Sequence, residues 1–449
     1  MDNNRLFETM KPGRALATMA IPTIASQVII LVYNLADTWF IGRTNDPYMI
    51  AASSLALSVY LAAVALANVF GVGGGSLMIR LAGQKRTEEA GKVSSYSITA
   101  AAISSIVFSI LVLIFMTPLL KALGASDNTL EYGKQYLMAT SVAGALPTVL
   151  SMCIPQILRN AGYAKQAGTG VGLGSIMNIV LDPLFMFVIF PKGYEVLAAG
   201  IAMMLSNVIS LIYFIVVYRK VSAESILEFP KRLEHIGRDN LKTLFSVGIP
   251  AAVAIFFFDL VTIVINRLTA AYGDVALAAM GIVLKIERIP INIGLGICLG
   301  MVPLVAFSYG AGNKKRMDQV AKLAAIVIVG FACFCTALFF IFSGQIVGVF
   351  IDNEETIALG ARFLRGRCFA LPFMLAGYFV VNWMNAVGKG KISFLLAIIR
   401  HLVLIIPILL IFNLLFGLNG LIRAQLVADV LNAAISTGIF ISIRRSFRE

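Results

Sequence analysis

Polar side chains recur at helical spacing within apolar stretches of this chain, and the clearest set surrounds a carboxylate. Ser175, Asn178 and Asp182 stand at i, i+3 and i+7, which places them on one face of a helix. An ionisable side chain in the middle of a membrane-spanning helix costs about 2.5–3.5 kcal/mol on insertion scales, so it marks a functional group by default. The spacing therefore predicts a set of oxygen-bearing side chains that act together.

Two further apolar stretches carry a carboxylate with amide or hydroxyl neighbours: Gln27, Tyr33, Asn34 and Asp37 in one, and Asp259, Thr262 and Asn266 in the other. Oxygen ligands bind hard cations, and a desolvated carboxylate holds a proton more tightly than an exposed one. Each set could instead serve only to hold helices together by hydrogen bonds. Because Asp37 and Asp182 occur in the same half of the chain, the pattern favours a proton or cation site there.

The composition indicates what must position these side chains. The chain has 449 residues, of which 59% are hydrophobic and 13% charged, and its mean hydropathy is +0.89. Soluble domains carry about 25% charged residues, so this is an integral membrane protein. A spanning helix needs about 20 mainly apolar residues, and we predict twelve, beginning near Leu16, Ile50, Ser94, Gln135, Val171, Val196, Leu244, Val275, Ala321, Phe369, Ile392 and Leu418.

The basic residues predict the orientation of the chain. An even number of spans puts both termini on one side of the membrane. Of 36 Lys and Arg, 24 fall on the side of the termini, 7 on the other and 5 within spans, so the termini are predicted to be cytoplasmic, in a plasma or inner membrane. The net charge of +13 is thus a topology signal, and no nucleic-acid partner is expected.

The two halves of the chain resemble each other. "LATMAIPTIA" (16–25) recurs as "LFSVGIPAAV" (244–253), with prolines 250 − 22 = 228 residues apart, and "GALPTVL" (144–150) recurs as "FALPFML" (369–375), with prolines 372 − 147 = 225 apart. Six spans in each half give parallel repeats, which are typical of transporters with a substrate site between the halves. The predicted domains are an N-terminal lobe at 1–218, a cytoplasmic linker at 219–242 and a C-terminal lobe at 243–449.

Motifs for catalysis and nucleotide binding are missing from the sequence. There is no GxxxxGK[ST], HExxH, Cys/His cluster or GxSxG. We therefore expect a protein that is not an enzyme and has no cofactor. Without a nucleotide-binding loop, uphill transport would have to use an ion gradient.

Charged residues also occur in spans of the second half. Glu287 lies between Lys285 and Arg288, and it either pairs with them or forms part of a polar gate or cavity wall. Arg400 with His401, and Arg423 with Asp429, are interpreted as structural pairs, although either carboxylate-bearing set of this half could face the cavity.

With these residues in place, the chain resembles the multidrug and toxic compound extrusion (MATE) family, in its MepA-like bacterial branch. The resemblance rests on "AIPTIASQVIILVYNLADTWFIGR", "NVFGVGGGSLMIRLAGQKR", "NIVLDPLFMF" and "GLNGLIRAQLVADVLNAA". It implies an all-α membrane protein with two six-helix lobes in a V around a central cavity. It also implies a proton or Na+ site in the N-terminal lobe formed by Asp37, Asn178 and Asp182, with Asn34 beside them.

The resemblance further implies roles for other polar residues. The sixth-span threonine of the family is missing here, and Ser206 or Asn207 could replace it. Asp259 stands where some relatives have a C-terminal-lobe carboxylate, so a second ion or substrate site is predicted from Asp259, Thr262, Glu287 and Arg288. Gln27, Tyr33, Ser175 and Asn207 are predicted to line the substrate cavity.

The expected function is secondary active efflux of amphipathic, often cationic compounds in exchange for H+ or Na+. The alternative is a flippase for lipid-linked precursors from the same superfamily, whose members often have extra spans and a strongly cationic cavity. The expected partners are small-molecule drugs or toxic metabolites and the lipid bilayer, and the protein is expected to be a monomer.

Overall fold

The structure, a computed structural model, describes residues 5–43, 46–230 and 234–446, without a few side chains, that of Asp259 among them. The described ranges contain helices and no strand. The first half forms α1 (Pro12–Gly42), α2 (Pro47–Gly83), α3 (Thr87–Ala122), α4 (Asp127–Leu137), α5 (Ala145–Asn160), α6 (Ala164–Leu184) and α7 (Glu195–Ser222). The second forms α8 (Arg238–Ala270), α9 (Asp274–Gly310), α10 (Lys314–Ile341), α11 (Ser343–Gly348), α12 (Glu354–Arg367), α13 (Leu371–Ala386), α14 (Gly390–Ile398) and α15 (Ile406–Ser446).

The helices account for the twelve predicted spans. In the described residues, ten stretches are long and apolar enough to cross a membrane, or eleven with a pair bent by 51° at residue 144. One of the ten, Gly390–Arg445, has 56 residues, which is far longer than the ~20 that one crossing needs. It contains a break at Gly417, whose φ of 57° and ψ of −139° are not helical. Counting this stretch as two spans gives twelve, which confirms the prediction.

The helix is irregular at the corresponding place in both repeats, and a proline explains it. A π-helical turn, Met138–Ala143, precedes α5, and a 3-10 turn, Cys368–Ala370, precedes α13. A proline has no amide hydrogen to donate to the carbonyl four residues earlier. The carbonyl left without its helical partner is that of Ala143 for Pro147 and that of Cys368 for Pro372. At Cys368 this carbonyl instead accepts a hydrogen bond of 3.0 Å from the Thr336 hydroxyl.

The described chain divides into two compact units, and each contains the beginning of a helix whose remainder lies in the other. Unit 1 holds Ala25–Ala252 with the described residues before Glu8, and unit 2 holds Glu8–Ile24 with the described part of Val253–Glu449. The start of α8 therefore packs in unit 1, and the start of α1 packs in unit 2. The predicted domain bounds, 1–218, 219–242 and 243–449, do not follow this exchange and stay a prediction.

A close approach of backbones holds the start of α8 in unit 1. A Cβ atom added at Gly248 would clash with the carbonyl oxygen of Val69 in α2. Unit 2 has a similar contact, where a Cβ at Gly300 of α9 would lie 2.6 Å from the Cα of Ala20 in α1. Since interiors are closely packed, backbone contacts of this kind leave no room for a side chain.

We expect Gly248→Ala to prevent correct folding, because the new methyl group meets main-chain atoms that cannot rotate away. Gly281→Ala is the matched control: Gly281 also lies inside a long helix, and nothing is within 4 Å of its added Cβ. The control should be neutral or stabilised by up to ~1 kcal/mol. The measurement is the yield of monodisperse protein in detergent. Equal yields from both variants would show that the α2–α8 contact is not needed for folding.

Candidate functional site

The carboxylate of Asp182 lies in the interior of unit 1 on the buried face of α6. Asp182 is 0% exposed and Asn178, one turn earlier, is 2% exposed. The Asn178 Nδ2 donates a hydrogen bond of 3.1 Å to Asp182 Oδ1. Ser175 is buried on the same helix. The structure thus brings Ser175, Asn178 and Asp182 to one face, as their spacing predicts.

Two oxygens of this pair have no partner. Asp182 Oδ2 and Asn178 Oδ1 are buried and accept no hydrogen bond from the described residues. An unsatisfied buried acceptor costs about 1–3 kcal/mol, and more when it is charged. A proton on Asp182 or a cation beside these oxygens would remove that cost.

Asp37 and two tyrosines lie near Asp182, and a third tyrosine lies near Asp37. Asp37 on α1 is half-buried and lies within range of Coulombic repulsion from Asp182. Tyr33 and Tyr136 lie within electrostatic range of both carboxylates, and Tyr60 lies within range of Asp37. Within the described residues, neither Asp37 nor Asp182 forms an ion pair with a lysine or arginine. The two carboxylates therefore form an acidic pair with no protein cation to neutralise it.

Asn207 belongs to a neighbouring polar network of unit 1. Its Nδ2 donates to Thr148 Oγ1 at 3.0 Å, and its Oδ1 accepts from Ser151 Oγ at 3.2 Å. Ser206 donates its hydroxyl hydrogen to the carbonyl of Ala202 in its own helix, at 2.7 Å. These hydrogen bonds connect Asn207 to α5. Asn207 also forms a side-chain hydrogen bond with Tyr60, which lies within electrostatic range of Asp37.

The other first-half candidates are more open than Asp182. Gln27 and Tyr33 are half-buried on α1, and Asn34 is exposed. All three belong to the part of α1 that packs in unit 1.

The candidate positions of the second half meet at a separate cavity of unit 2. Thr262, Glu287 and Arg288 line it, and its open space is about 50 Å³. The backbone of Asp259 lies on α8 one turn before Thr262, but its side chain is outside the part of the chain that the structure describes.

Of the two alternatives for Glu287, pairing with its sequence neighbours is wrong, and Glu287 instead lies in the wall of this cavity. Its two oxygens accept hydrogen bonds of 2.9 Å from Nε and Nη2 of Arg367. Lys285 is exposed, and Arg288 lies over the ring of Phe258 at 5.5 Å. Residues one or two apart on a helix do not face each other. The Arg367 side chain, which does reach Glu287, is only 2% exposed.

A second buried ion pair lies beside this cavity, and its partners differ from those predicted from the sequence. Asp429, 0% exposed, accepts hydrogen bonds of 2.9 Å from Arg400 Nε and 2.6 Å from Gln425 Nε2. Arg400 Nη1 also lies 3.0 Å from His401 Nε2. Asp429 therefore pairs with Arg400 and not with Arg423. The charges were visible in the sequence, but their partners are far apart along the chain.

The acidic pair of unit 1 has no copy in the second repeat. "LDP" at 181–183 corresponds to "IIP" at 405–407, with prolines 407 − 183 = 224 residues apart. At the offset of 228 set by Pro22 and Pro250, Asp37 corresponds to Ile265. The helices are repeated in both halves, but the carboxylates of Asp37 and Asp182 occur only in the first half.

Comparisons with known proteins agree with this architecture. The MatE family model matches residues 22–184 and again 250–411, so the two copies begin 250 − 22 = 228 residues apart, which confirms the internal repeat. The chain is 27% identical to the multidrug export protein MepA of Staphylococcus saprophyticus, across 95% of this chain and 93% of that protein. It is 29% identical to MepA of Staphylococcus aureus, with the same coverage, and 28% identical to MepA of Staphylococcus haemolyticus, across 98% and 95%.

Solved structures show the same fold. A MATE transporter in a straight conformation has a TM-score of 0.92, with 23% identity, and covers 100% of this chain and 99% of that chain. A MATE structure in a bent conformation has a TM-score of 0.87, with 23% identity and full coverage of both chains.

Proposed function

Because this chain belongs to the MatE family, and is thus a multi-pass membrane transporter rather than an enzyme, we propose that it exports amphipathic, often cationic drugs or toxic metabolites in exchange for H+ or Na+. The observation that carries the proposal is the buried Asp182–Asn178 pair of unit 1, with its two unpartnered oxygens near Asp37. The relatives named as multidrug export proteins, which align along 95% of the chain, support the class of substrate.

Asp182 provides a physical basis for ion coupling. An isolated ionised carboxylate is too costly to keep in an apolar interior, and the described residues offer it no basic partner. It must therefore hold a proton, or share a cation with Asn178 and Asp37. Loss of that ion leaves two carboxylates within repulsion range, so the loaded and unloaded forms differ in energy and can favour different conformations.

The proposed roles divide the polar residues between ion binding and substrate contact. Asp37, Asn178 and Asp182 bind the coupling ion, as a proton on a carboxylate or as Na+ held by their oxygens, and Asn34 lies beside them on α1. Gln27, Tyr33, Ser175 and Asn207 contact the substrate. In unit 2, Asp259, Thr262, Glu287 and Arg288 are proposed to form a second ion or substrate site. Twelve spans and an acidic pair in unit 1 favour an exporter over the lipid-linked precursor flippase.

The proposed setting is the bacterial cell membrane, with a monomeric protein and cytoplasmic termini. The bias of basic residues supports the orientation, with 24 of 36 on the side of the termini. The lipid bilayer is then its only proposed permanent partner.

We expect purified protein in liposomes to move a lipophilic cationic dye only when an ion gradient is imposed. A pH gradient at equal sodium and a sodium gradient at equal pH, applied separately, identify the coupling ion. Protein-free liposomes with the same gradients are the control, because the dye crosses bilayers slowly by itself. Dye movement that is the same with and without protein, under both gradients, would contradict export.

A further inference from the structure

The small cavity of unit 2 is more basic than acidic. Its lining includes three guanidinium groups, from Arg288, Arg367 and Arg400, and one carboxylate, from Glu287. A second carboxylate, that of Asp429, accepts hydrogen bonds from Arg400 and Gln425 of this lining. The net charge of these groups, within the described residues, is thus 3 − 2 = +1.

Both carboxylates are already occupied by hydrogen bonds. Glu287 receives two from Arg367, and Asp429 receives one from Arg400 and one from Gln425. His401 adds no charge in this arrangement: its Nδ1 faces the carbonyl of Ala397 at 2.9 Å, so Nε2 is the nitrogen that accepts from Arg400. A cation entering the cavity would find no free carboxylate among the described residues.

Several donors, in contrast, have no acceptor. Arg367 is only 3% exposed, and its Nη1 is buried without a hydrogen bond from the described residues. Arg400 uses Nε and Nη1, and its Nη2 makes no hydrogen bond within the described residues. Arg288 forms no ion pair there and only lies over the ring of Phe258. A buried charged donor without an acceptor costs more free energy than a neutral one.

We propose that this cavity binds a small monovalent anionic group, a halide or a carboxylate, between Arg288 and Arg367. Its space of about 50 Å³ exceeds the ~10–15 Å³ that a water-sized group requires. Guanidinium donors match carboxylate geometry, and the charge-assisted hydrogen bonds that they form are about twice as strong as those between neutral groups. This cavity is the one proposed above as a second ion or substrate site, so the inference says which class of ligand it takes. The acidic pair proposed to bind H+ or Na+ belongs to unit 1, so anion binding can be tested without ion-driven export.

The test is the unfolding temperature of detergent-purified protein, titrated with bromide at constant ionic strength against the bulky anion isethionate. We expect a saturable rise for the wild type. Arg288→Gln should need roughly tenfold more bromide, equivalent to ~1.4 kcal/mol. It removes a charge that forms no ion pair within the part of the chain that the structure describes, so folding should be preserved. Arg267→Gln is the control, because Arg267 is an exposed arginine in the last turn of α8, and it should behave like the wild type.

A transport measurement separates a free anion from a carboxylate on the substrate. A zwitterionic amphipathic compound and its methyl ester are compared in wild type and Arg288→Gln. If Arg288→Gln loses transport of the zwitterion but keeps transport of the methyl ester, the site binds a carboxylate of the substrate. If the wild type binds bromide and the ratio of zwitterion to ester transport is the same in both proteins, the site binds a free anion. The proposal is overturned if bromide has no saturable effect on the wild type, or if Arg288→Gln responds like Arg267→Gln. A failure of dye export in both proteins would concern the proposed function only.

Discussion

Asp182→Asn should reduce ion-driven export to the level of protein-free liposomes while the protein remains folded. The amide has nearly the same shape and can still accept the hydrogen bond from Asn178 Nδ2. It cannot release a proton at physiological pH or provide a negative charge for Na+. Because the carboxyl group is 0% exposed, removing its charge should not lower the stability of the fold.

The loss should be complete rather than partial. Shifting a two-state equilibrium from 1:99 to 99:1 needs about 5.5 kcal/mol of differential binding, and Asp182 is the more deeply buried member of the acidic pair. Asp239→Asn is the matched control, since Asp239 is an exposed aspartate at the start of α8, and it should export normally. Export by Asp182→Asn at the wild-type rate, with the same dependence on pH and sodium, would make this residue a structural helix contact.

Arg367→Met should produce the largest loss of stability among single substitutions of unit 2. The Arg367 side chain is 2% exposed and holds both oxygens of Glu287, whose side chain is 13% exposed. Breaking a buried ion pair by removing one partner costs about 3–5 kcal/mol, because the other charge remains buried. Replacing both partners by apolar residues is often neutral, so the double variant with Glu287→Leu should recover much of the loss.

The measurement is the free energy of unfolding in detergent for the two single variants and the double variant. Arg362→Met is the control: Arg362 is exposed and hydrogen-bonds only to Asn419 among the described residues, so its removal should cost no more than ~1 kcal/mol. A double variant as unstable as Arg367→Met alone would mean that the arginine stabilises unit 2 through packing and not through Glu287.

The features that depend on local periodicity were predictable from the sequence. The apolar runs and the short connections between them gave the twelve spans, and the prolines at 22, 147, 250 and 372 revealed the repeat. The i, i+3, i+7 spacing placed Ser175, Asn178 and Asp182 on one face because helix geometry alone decides it.

The pairing of distant side chains was not predictable in this way. Arg367 and Glu287 are 80 residues apart. Lys285 and Arg288 are much closer to Glu287 in sequence, but their side chains do not face it on the helix. Nothing local indicates that Asn207 bonds to Thr148 and Ser151 on α5, or that the starts of α1 and α8 pack in opposite units. These features depend on how helices pack, and a side chain's sequence neighbours do not specify them.

Displacement of the coupling ion on substrate binding tests the central claim most directly. A cationic dye is added to purified protein in weakly buffered detergent, and the released protons, or released sodium in a parallel experiment, are counted per protein. The account predicts release of one of these ions from the wild type and from Asp239→Asn, and none from Asp182→Asn although the dye still binds. Equal release from Asp182→Asn and the wild type would show that the coupling ion is held elsewhere.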